Sequence, residues 1–194
     1  MTDAPQLRFR HWSIEDFAHG REAWTALLAT SRADPMFMSW EWHWAWWRHL
    51  SVPSDQLYIV AAYTPQDKLV GLAPLYLHRG SHRGVTASRL ESLGSRWRSR
   101  QDVFSEYLDF IVARDHEPEF SRGIAAHVLA DGRWSDFVLR NVREDSVANL
   151  AVREHLGARY YVRTLDPMVA QAISLPRTVD TFVNMLKPSA RRRM

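Results

Sequence analysis

The chain has 194 residues, of which 46% are hydrophobic, and this suits one domain with a core of ordinary size. It contains no cysteine, which excludes disulfides, thiolate metal sites and a cysteine nucleophile. Its formal charge of +3 is too small an excess to imply nucleic acid. The N-terminal stretch MTDAPQLRFRHW lacks the pattern of a secretion signal, and the apolar runs are too short to span a membrane. We therefore expect a cytoplasmic protein without a membrane span.

The chain is predicted to begin with a strand and a helix. Residues Leu7 to His11 alternate apolar with cationic side chains, which is typical of a short strand. Ser13 is a good helix cap, and apolar residues recur after it at helical spacing, although Gly20 weakens the middle of this helix.

A tryptophan-rich stretch, SWEWHWAWWRHL, follows at residues 39–50. Its alternation resembles a strand, but Trp47 breaks that period, while Ser39 as a cap and Pro53 beyond the end favour a helix. At 100° per residue, the side chains predicted to lie in the core are Trp40, Trp44 and Trp47. Those left for the solvent are Glu41, Ala45 and Arg48. Trp42 and Trp46 are predicted on the far rim, facing either a second protein surface or a ligand.

The middle of the chain alternates strands and helices. The predicted elements are a hairpin of Leu57–Thr64 and Lys68–His78, strands at Arg89–Leu93 and Tyr107–Ala113, a helix at Glu117–Ala130, a strand at Ser135–Val142, a helix at Ser146–His155, and strands at Ala158–Leu165 and just before Pro176. Pro74 cannot donate to a strand ladder, so it should lie at an edge, a bulge or a strand end.

An amphipathic helix is predicted to begin near Thr178, because apolar residues recur at i, i+3, i+4 and i+7 from Val179 to Leu186. The sequence then ends at RRRM. We expect the chain to be the N-terminal part of a longer protein or a truncated relative of one; a frayed tail is the alternative.

The order strand, helix, helix, hairpin, strand, strand, helix, strand, helix, strand, strand resembles the GNAT superfamily of N-acetyltransferases. The stretches DPMFMSWEWHWAWW, KLVGLAPLYL, SEYLDFIV and SLPRTVDTFVNML are similar to bacterial proteins related to the cellulose-biosynthesis protein CelD. In that family two GNAT-like halves occur in tandem, as in the Fem aminoacyltransferases. The resemblance implies an α/β fold with a GNAT-like mixed, mostly antiparallel central sheet flanked by helices at residues 1–176. Residues 177–194 would start a helix leading to a missing or truncated second half.

The resemblance implies transfer of an acyl group from acetyl-CoA or another acyl-CoA to an amine. The superfamily binds the cofactor pyrophosphate at the helix after the central strand, where Arg122, Gly123 and Ala125 are the candidates. Phe120 stands where the superfamily has arginine or glutamine, and the acidic residues of this helix would repel a pyrophosphate. We therefore expect this chain to be the acceptor-side or structural half, with acyl-CoA possibly bound by the absent half. The implied acceptor is a small-molecule or cell-envelope polysaccharide-pathway amine, and the implied partner is a second GNAT half or another copy of the chain.

Candidate catalytic residues are Glu106 and Asp109, which flank Tyr107 in SEYLD at the entry to the central strand. At i and i+3 on a strand they would point to opposite faces, so they do not form a two-carboxylate pair. For Asp109 a structural hydrogen bond is the alternative, because a buried carboxylate needs a partner. The candidate substrate-binding residues are Trp42, Trp46 and Tyr107.

Metal and nucleic-acid sites are not expected. None of the nine histidines has strong metal-ligand spacing, and His78 and His82 lack an obvious third ligand. The arginines of RWRSR at residues 96–100 and of the C-terminus could attract phosphates, but solvated surfaces are favoured. No motif of a hydrolase, kinase or dehydrogenase is present. The main alternative to an acyltransferase is a non-catalytic binding or assembly module with an exposed tryptophan surface.

Overall fold

The computed structural model describes residues 7–82, 85–96, 105–157, 159–164, 169 and 174–191. Residues 1–162 form one compact unit and residues 163–194 a second. The strands are β1 (Arg8–Trp12), β2 (Asp55–Tyr63), β3 (Leu69–His82), β4 (Val85–Ser92), β5 (Ile111–Val112) and β6 (Asp136–Val138). The helices of the first unit are α1 (Ile14–His19), α2 (Arg21–Thr30), α3 (Trp40–Leu50), α4 (Glu117–Ala130) and α5 (Val147–Ala151), and those of the second are α6 (Val179–Met185) and α7 (Pro188–Arg191).

One six-stranded sheet organises the first unit. The strand order is β1-β2-β3-β4-β6, and β5 pairs with β3. Every pairing is antiparallel except that of β4 with β6, which is parallel and is connected through α4. The predicted fold class, α/β with a mixed, mostly antiparallel sheet flanked by helices, is confirmed.

Helices cover both faces of this sheet because side chains alternate along its strands. On β2, Tyr58 and Val60 belong to a core shared with α4 and α5. The intervening Ile59 and Ala61 belong to a second core shared with α1, α2 and α3. No helix in the described part of the chain combines the length and apolar character that a bilayer crossing requires.

The strand position beside β3 is occupied by two separate pieces of chain. β4 pairs with β3 as far as Ser92 opposite Leu75, and β5 resumes on the same edge with Ile111 opposite Leu72. At the break, the Leu93 N–H donates to the Pro74 carbonyl at 2.9 Å. In an antiparallel ladder the N–H and C=O of one residue point to the same side, so the nitrogen of Pro74 faces the place where β4 ends. Pro74 therefore lies inside β3 and not at the edge, bulge or strand end that was expected; it is accommodated because its nitrogen faces the break between β4 and β5.

α4 lies close against the sheet because small residues face bulky rings. A Cβ on Gly123 would lie 2.3 Å from the Phe9 ring, and one on Gly71 would lie 2.2 Å from the Phe120 ring. Phe9 and Phe120 also contact each other, with their ring centroids 5.7 Å apart. Glycine therefore sets the distance between α4 and strands β1 and β3.

The predicted helices are largely confirmed. Ser13 forms a capping box with Asp16, Ser39 caps α3, and Thr178 caps α6. The bounds of α4 are those predicted. The first predicted helix is divided at Gly20 into α1 and α2.

Several predicted strands are shorter or absent. The strand predicted at Tyr107–Ala113 is reduced to β5, because Tyr107 has φ of 55° and leaves the extended conformation. The strand predicted at Ser135–Val142 ends at Val138, and Asn141 has φ of 50°. Residues 159–164 and 174–176 are not in strands, and the rest of the two last predicted strands lies outside the described residues.

Candidate functional site

Three aromatic side chains from two distant parts of the first unit meet near the protein surface. The Phe37 ring contacts the Trp42 ring edge-on, with centroids 6.2 Å apart, and the Tyr107 ring at 6.4 Å. Tyr107 is 40% exposed, and Met36 beside Phe37 in the chain is 72% exposed. We call Phe37, Trp42 and Tyr107 the aromatic surface. It includes two of the three predicted substrate-binding residues.

Hydrogen bonds around the buried Ser105 hold the aromatic surface in place. The Trp42 indole N–H donates to Ser105 Oγ at 2.7 Å, and that hydroxyl donates to the carbonyl of Gly94. The Asn141 side-chain amide donates to the Ser105 carbonyl at 2.9 Å. Trp42 is thereby fixed to segments that follow β4 and β6.

The turn before α3 positions Phe37. The Asp34 carboxylate accepts from the backbone N–H groups of Met36 at 2.9 Å and Phe37 at 2.8 Å. This local bonding is typical of aspartate in turns, where its side chain substitutes for a backbone acceptor. The sequence motif DPMF therefore places an exposed methionine and a half-buried phenylalanine at this edge.

Asp109 directs its carboxylate into the protein and caps α5. It accepts from the backbone N–H groups of Val147 at 3.2 Å and Ala148 at 2.8 Å, and from that of Phe110 at 2.7 Å. Burial raises the pKa of Asp109 to about 6, an effect that these backbone bonds oppose. The partner that a buried carboxylate requires is therefore the first turn of a helix. The catalytic role of Asp109 stays a prediction.

Glu106 differs from Asp109 in its surroundings. Its side chain is exposed next to Tyr107, and neither carboxylate lies in a strand. The strand alternation that predicted opposite faces therefore does not apply, and the carboxylate of Asp109 is bound to the first turn of α5. Of the two, Glu106 is the one open to an arriving amine.

The predicted cofactor residues are spread over different sides of α4. Arg122 is exposed, Gly123 packs against Phe9, and Ala125 is buried. Contact with a cofactor at these residues stays a prediction.

The first turn of α4 carries two of the chain's own carboxylates. Glu117 forms an ion pair with Arg32 at 3.0 Å, and Glu119 accepts from the Leu7 backbone N–H at 3.1 Å. Carboxylates near a helix N-terminus satisfy its dipole and repel a second anion. This geometry does not favour a pyrophosphate at the start of α4.

Comparisons with known proteins return acetyltransferases only at a low level of similarity. A ribosomal-protein-alanine N-acetyltransferase from Brucella melitensis biovar Abortus 2308 is 15% identical, with a TM-score of 0.41 over 86% of this chain and 99% of that one. The aminoglycoside 6'-N-acetyltransferase AAC(6')-Ih from Acinetobacter baumannii is 11% identical, with a TM-score of 0.44 over 87% and 99%. A possible acetyltransferase from Clostridium difficile 630 is 10% identical, with a TM-score of 0.43 over 87% and 99%.

These similarities do not establish a family or an activity. No family model matches the sequence, and no curated protein matches it.

The predicted exposure of Trp46 is wrong. Trp46 is only 2% exposed, and its ring lies 5.2 Å from that of Tyr76 on the sheet. The guanidinium of Arg96 covers both rings, at 5.3 Å from Trp46 and 5.5 Å from Tyr76. The physical reason is helix phase: the buried side of α3 is centred on His43 and Trp46. Trp40, Trp44 and Trp47 pack against the same core but are only partly buried.

Arg96 also departs from the solvated loop that was expected for it. It is 8% exposed and forms an ion pair with Asp55, whose other carboxylate oxygen accepts from His78 Nδ1 at 2.7 Å. Residues 97–104 lie outside the described residues. Arg96 and His78 thus share the buried carboxylate of Asp55.

The sequence prediction missed the residues that support the aromatic surface. Ser105 and Asn141 carried no periodic or motif signal, because each acts through a contact with a distant segment. For Phe37 the available signal was the turn residue Asp34 in DPMF. His43 on α3 is completely buried. A metal cluster of three or more ligating side chains does not occur among the described residues.

Proposed function

We propose that this chain is the acceptor-side half of a cytoplasmic N-acyltransferase of GNAT type. The observation that carries this proposal is an exposed aromatic surface beside an exposed carboxylate, Glu106. The negative charge of Glu117 and Glu119 in the first turn of α4 supports the idea that acyl-CoA binds elsewhere, on a second half. The motifs that resemble CelD-related proteins supply the reaction class.

In this reaction the amine nitrogen attacks the thioester carbon, the carbon–sulfur bond breaks, and the CoA thiol leaves. The attacking amine must first lose a proton to water, because an ammonium has no lone pair to donate; a second proton, released from the nitrogen as the amide forms, goes to the CoA thiolate. In the proposed arrangement, the aromatic surface contacts the apolar part of the acceptor. Glu106 binds the ammonium form and draws it to this edge. The acceptor class that we propose is a small-molecule or cell-envelope polysaccharide-pathway amine.

Titration with acetyl-CoA tests whether the cofactor binds to this chain or to another half of the protein. We expect calorimetry of the purified chain to show no binding of acetyl-CoA at millimolar ligand, because the carboxylates of Glu117 and Glu119 in the first turn of α4 would repel the pyrophosphate. Clear micromolar binding would overturn the assignment of acyl-CoA to another half. It would then favour a cofactor site at Arg122, Gly123 and Ala125.

A panel of amines, including glucosamine and short diamines, tests acceptor binding. We expect at least one to bind the wild-type chain and to bind more weakly to Tyr107→Asn, which removes a ring but suits the left-handed backbone at this position. The matched control is Tyr161→Asn, since Tyr161 is 91% exposed and lies outside the aromatic surface. Equal binding by both variants would contradict the proposal.

A non-catalytic binding or assembly module is the second candidate function. It is favoured by the exposure of Met36 beside the aromatic surface, because exposed apolar side chains in contact mark interaction sites. This function predicts self-association or protein capture that is lost in Tyr107→Asn, with no amine binding. Sedimentation velocity of the two tyrosine variants separates it from the acyltransferase proposal.

A further inference from the structure

Two histidines face each other at an edge of the first unit, on the α4 side of the sheet. His11 lies on β1 and His127 in the last turn of α4. Their Nε2 atoms are 3.2 Å apart, and their ring centroids are 5.1 Å apart. His11 is exposed and His127 is partly exposed, so the two nitrogens can be reached from solvent.

Both imidazole rings are held by aromatic neighbours. The His11 ring meets the Tyr58 ring edge-on, with centroids 4.6 Å apart. The His127 ring stacks on Phe9 at 6.0 Å, and Phe9 in turn packs against Gly123. The separation of the two Nε2 atoms is thus fixed by the packing of α4 on β1.

The charged groups beside the two imidazoles are Arg133 and Asp131, and burial disfavours a charge on either ring. An imidazole nitrogen binds a metal through a lone pair that is free of a proton.

The distance between the nitrogens fits two ligands of one metal ion. Zinc bound tetrahedrally to imidazole nitrogens at about 2.0–2.1 Å holds two of them about 3.3 Å apart. The nearby Asp131 carboxylate is engaged by Arg133, at 2.9 and 3.0 Å from Nε, and by the Tyr58 hydroxyl at 2.8 Å. It is therefore a neighbour of the pair and not a third ligand.

We propose that His11 and His127 bind one zinc ion through their Nε2 atoms, with water or an incoming donor at the two remaining positions. No third protein ligand joins them in the described part of the chain. A site with two protein ligands and two open positions can accept a carboxylate or imidazole from another molecule. This site is independent of the aromatic surface, since α3 packs on the opposite face of the sheet.

Zinc chloride titration by calorimetry tests the proposal, with the metal alone as the probe. We expect one equivalent to bind the wild-type chain, and His11→Gln to bind at least about tenfold more weakly, since loss of one of two ligands removes the chelate. His11 is exposed, so this variant should fold. The matched control is His19→Gln, an exposed histidine whose ring bonds only to the backbone of its own helix.

Thermal unfolding provides an independent readout. Zinc should raise the Tm of the wild-type chain and of His19→Gln, and should leave that of His11→Gln unchanged, because a ligand stabilises only the state that binds it. A shared N–H···N hydrogen bond gives the same nitrogen separation without any metal affinity. The proposal is overturned if the wild-type chain binds no stoichiometric zinc, or if His11→Gln binds it as tightly as wild type.

Discussion

Acidification should destabilise the first unit through His43, which lies on α3 and is completely buried. Burial lowers the pKa of His43 from 6.5 to about 4, although hydrogen bonds with the backbone of Ser39 and Leu93 offset part of this. Between these two values the unfolded chain holds a proton that the native chain does not. Stability therefore falls as the pH falls through this window. Each tenfold change in proton affinity is worth about 1.4 kcal/mol, so the loss attributable to His43 reaches about 3 kcal/mol near pH 4.

Urea unfolding followed by tryptophan fluorescence measures this loss, for the wild-type chain and for His43→Leu, from pH 4 to neutral pH. Asp109 titrates in the same range with the opposite sign, because its pKa is raised to about 6. The informative quantity is thus the difference in the free energy of unfolding between wild type and His43→Leu at each pH, because the contributions of the other titrating groups cancel in it. The advantage of wild type over His43→Leu should shrink by about 3 kcal/mol on acidification. A difference that does not change with pH would refute the reasoning.

Three further predictions concern packing and capping. Gly123→Ala should lower the free energy of unfolding by about 1–3 kcal/mol, because its Cβ would lie 2.3 Å from the Phe9 ring; Gly132→Ala, with open space around its Cβ, is the control in the same urea assay. Asp109→Asn should cost about 1–3 kcal/mol at neutral pH, since it weakens the cap of α5. The loss should grow below pH 6, because the pKa of Asp109 is raised to about 6 and wild type gains stability on acidification that the variant cannot gain. Ser39→Ala should cost about 1 kcal/mol through loss of the α3 cap, measured by thermal unfolding; an unchanged Tm would contradict this role.

Local signals in the sequence were sufficient to predict the helices. Caps at Ser13, Ser39 and Thr178 mark where helices begin, because a side-chain oxygen bonds to a backbone N–H of the first turn wherever the helix lies in the protein. The choice of helix over strand for the tryptophan stretch was correct for the same reason. The residues predicted to face solvent, Glu41, Ala45 and Arg48, are all exposed.

Helix rotation could not be predicted from α3 alone. Its tryptophans span so wide an arc that the angle of burial is undetermined until the neighbouring sheet is known. Tyr76 and Arg96 fix that angle by contacting Trp46, and both come from distant segments. The predicted site consequently included one residue that the structure buries and missed Phe37, which the turn at Asp34 presents.

The strands after residue 100 were overpredicted for a related reason. Apolar, β-rich residues at 107–113 favour a strand, but pairing needs a partner edge, and β3 offers a short one there. The Leu108 N–H donates instead to the Asn141 carbonyl at 3.2 Å. The two residues with left-handed backbone here, Tyr107 and Asn141, are not glycines, so the sequence carried little signal for these turns.

At the break beside Pro74, the positions of the two strands along β3 do not depend on the length of the chain that connects them. The chain leaves the strand position at Leu93 and re-enters it at Ile111, opposite neighbouring parts of β3. Closing a loop between fixed, adjacent ends costs only about 0.6 kcal/mol for each doubling of its length. Strand register on either side of this joint is therefore set by β3 and not by the length of the connecting chain. The side of β3 that faces the joint holds Leu93 and Ile111 in place through separate hydrogen bonds, so two strands that are distant in sequence act as one edge of the sheet.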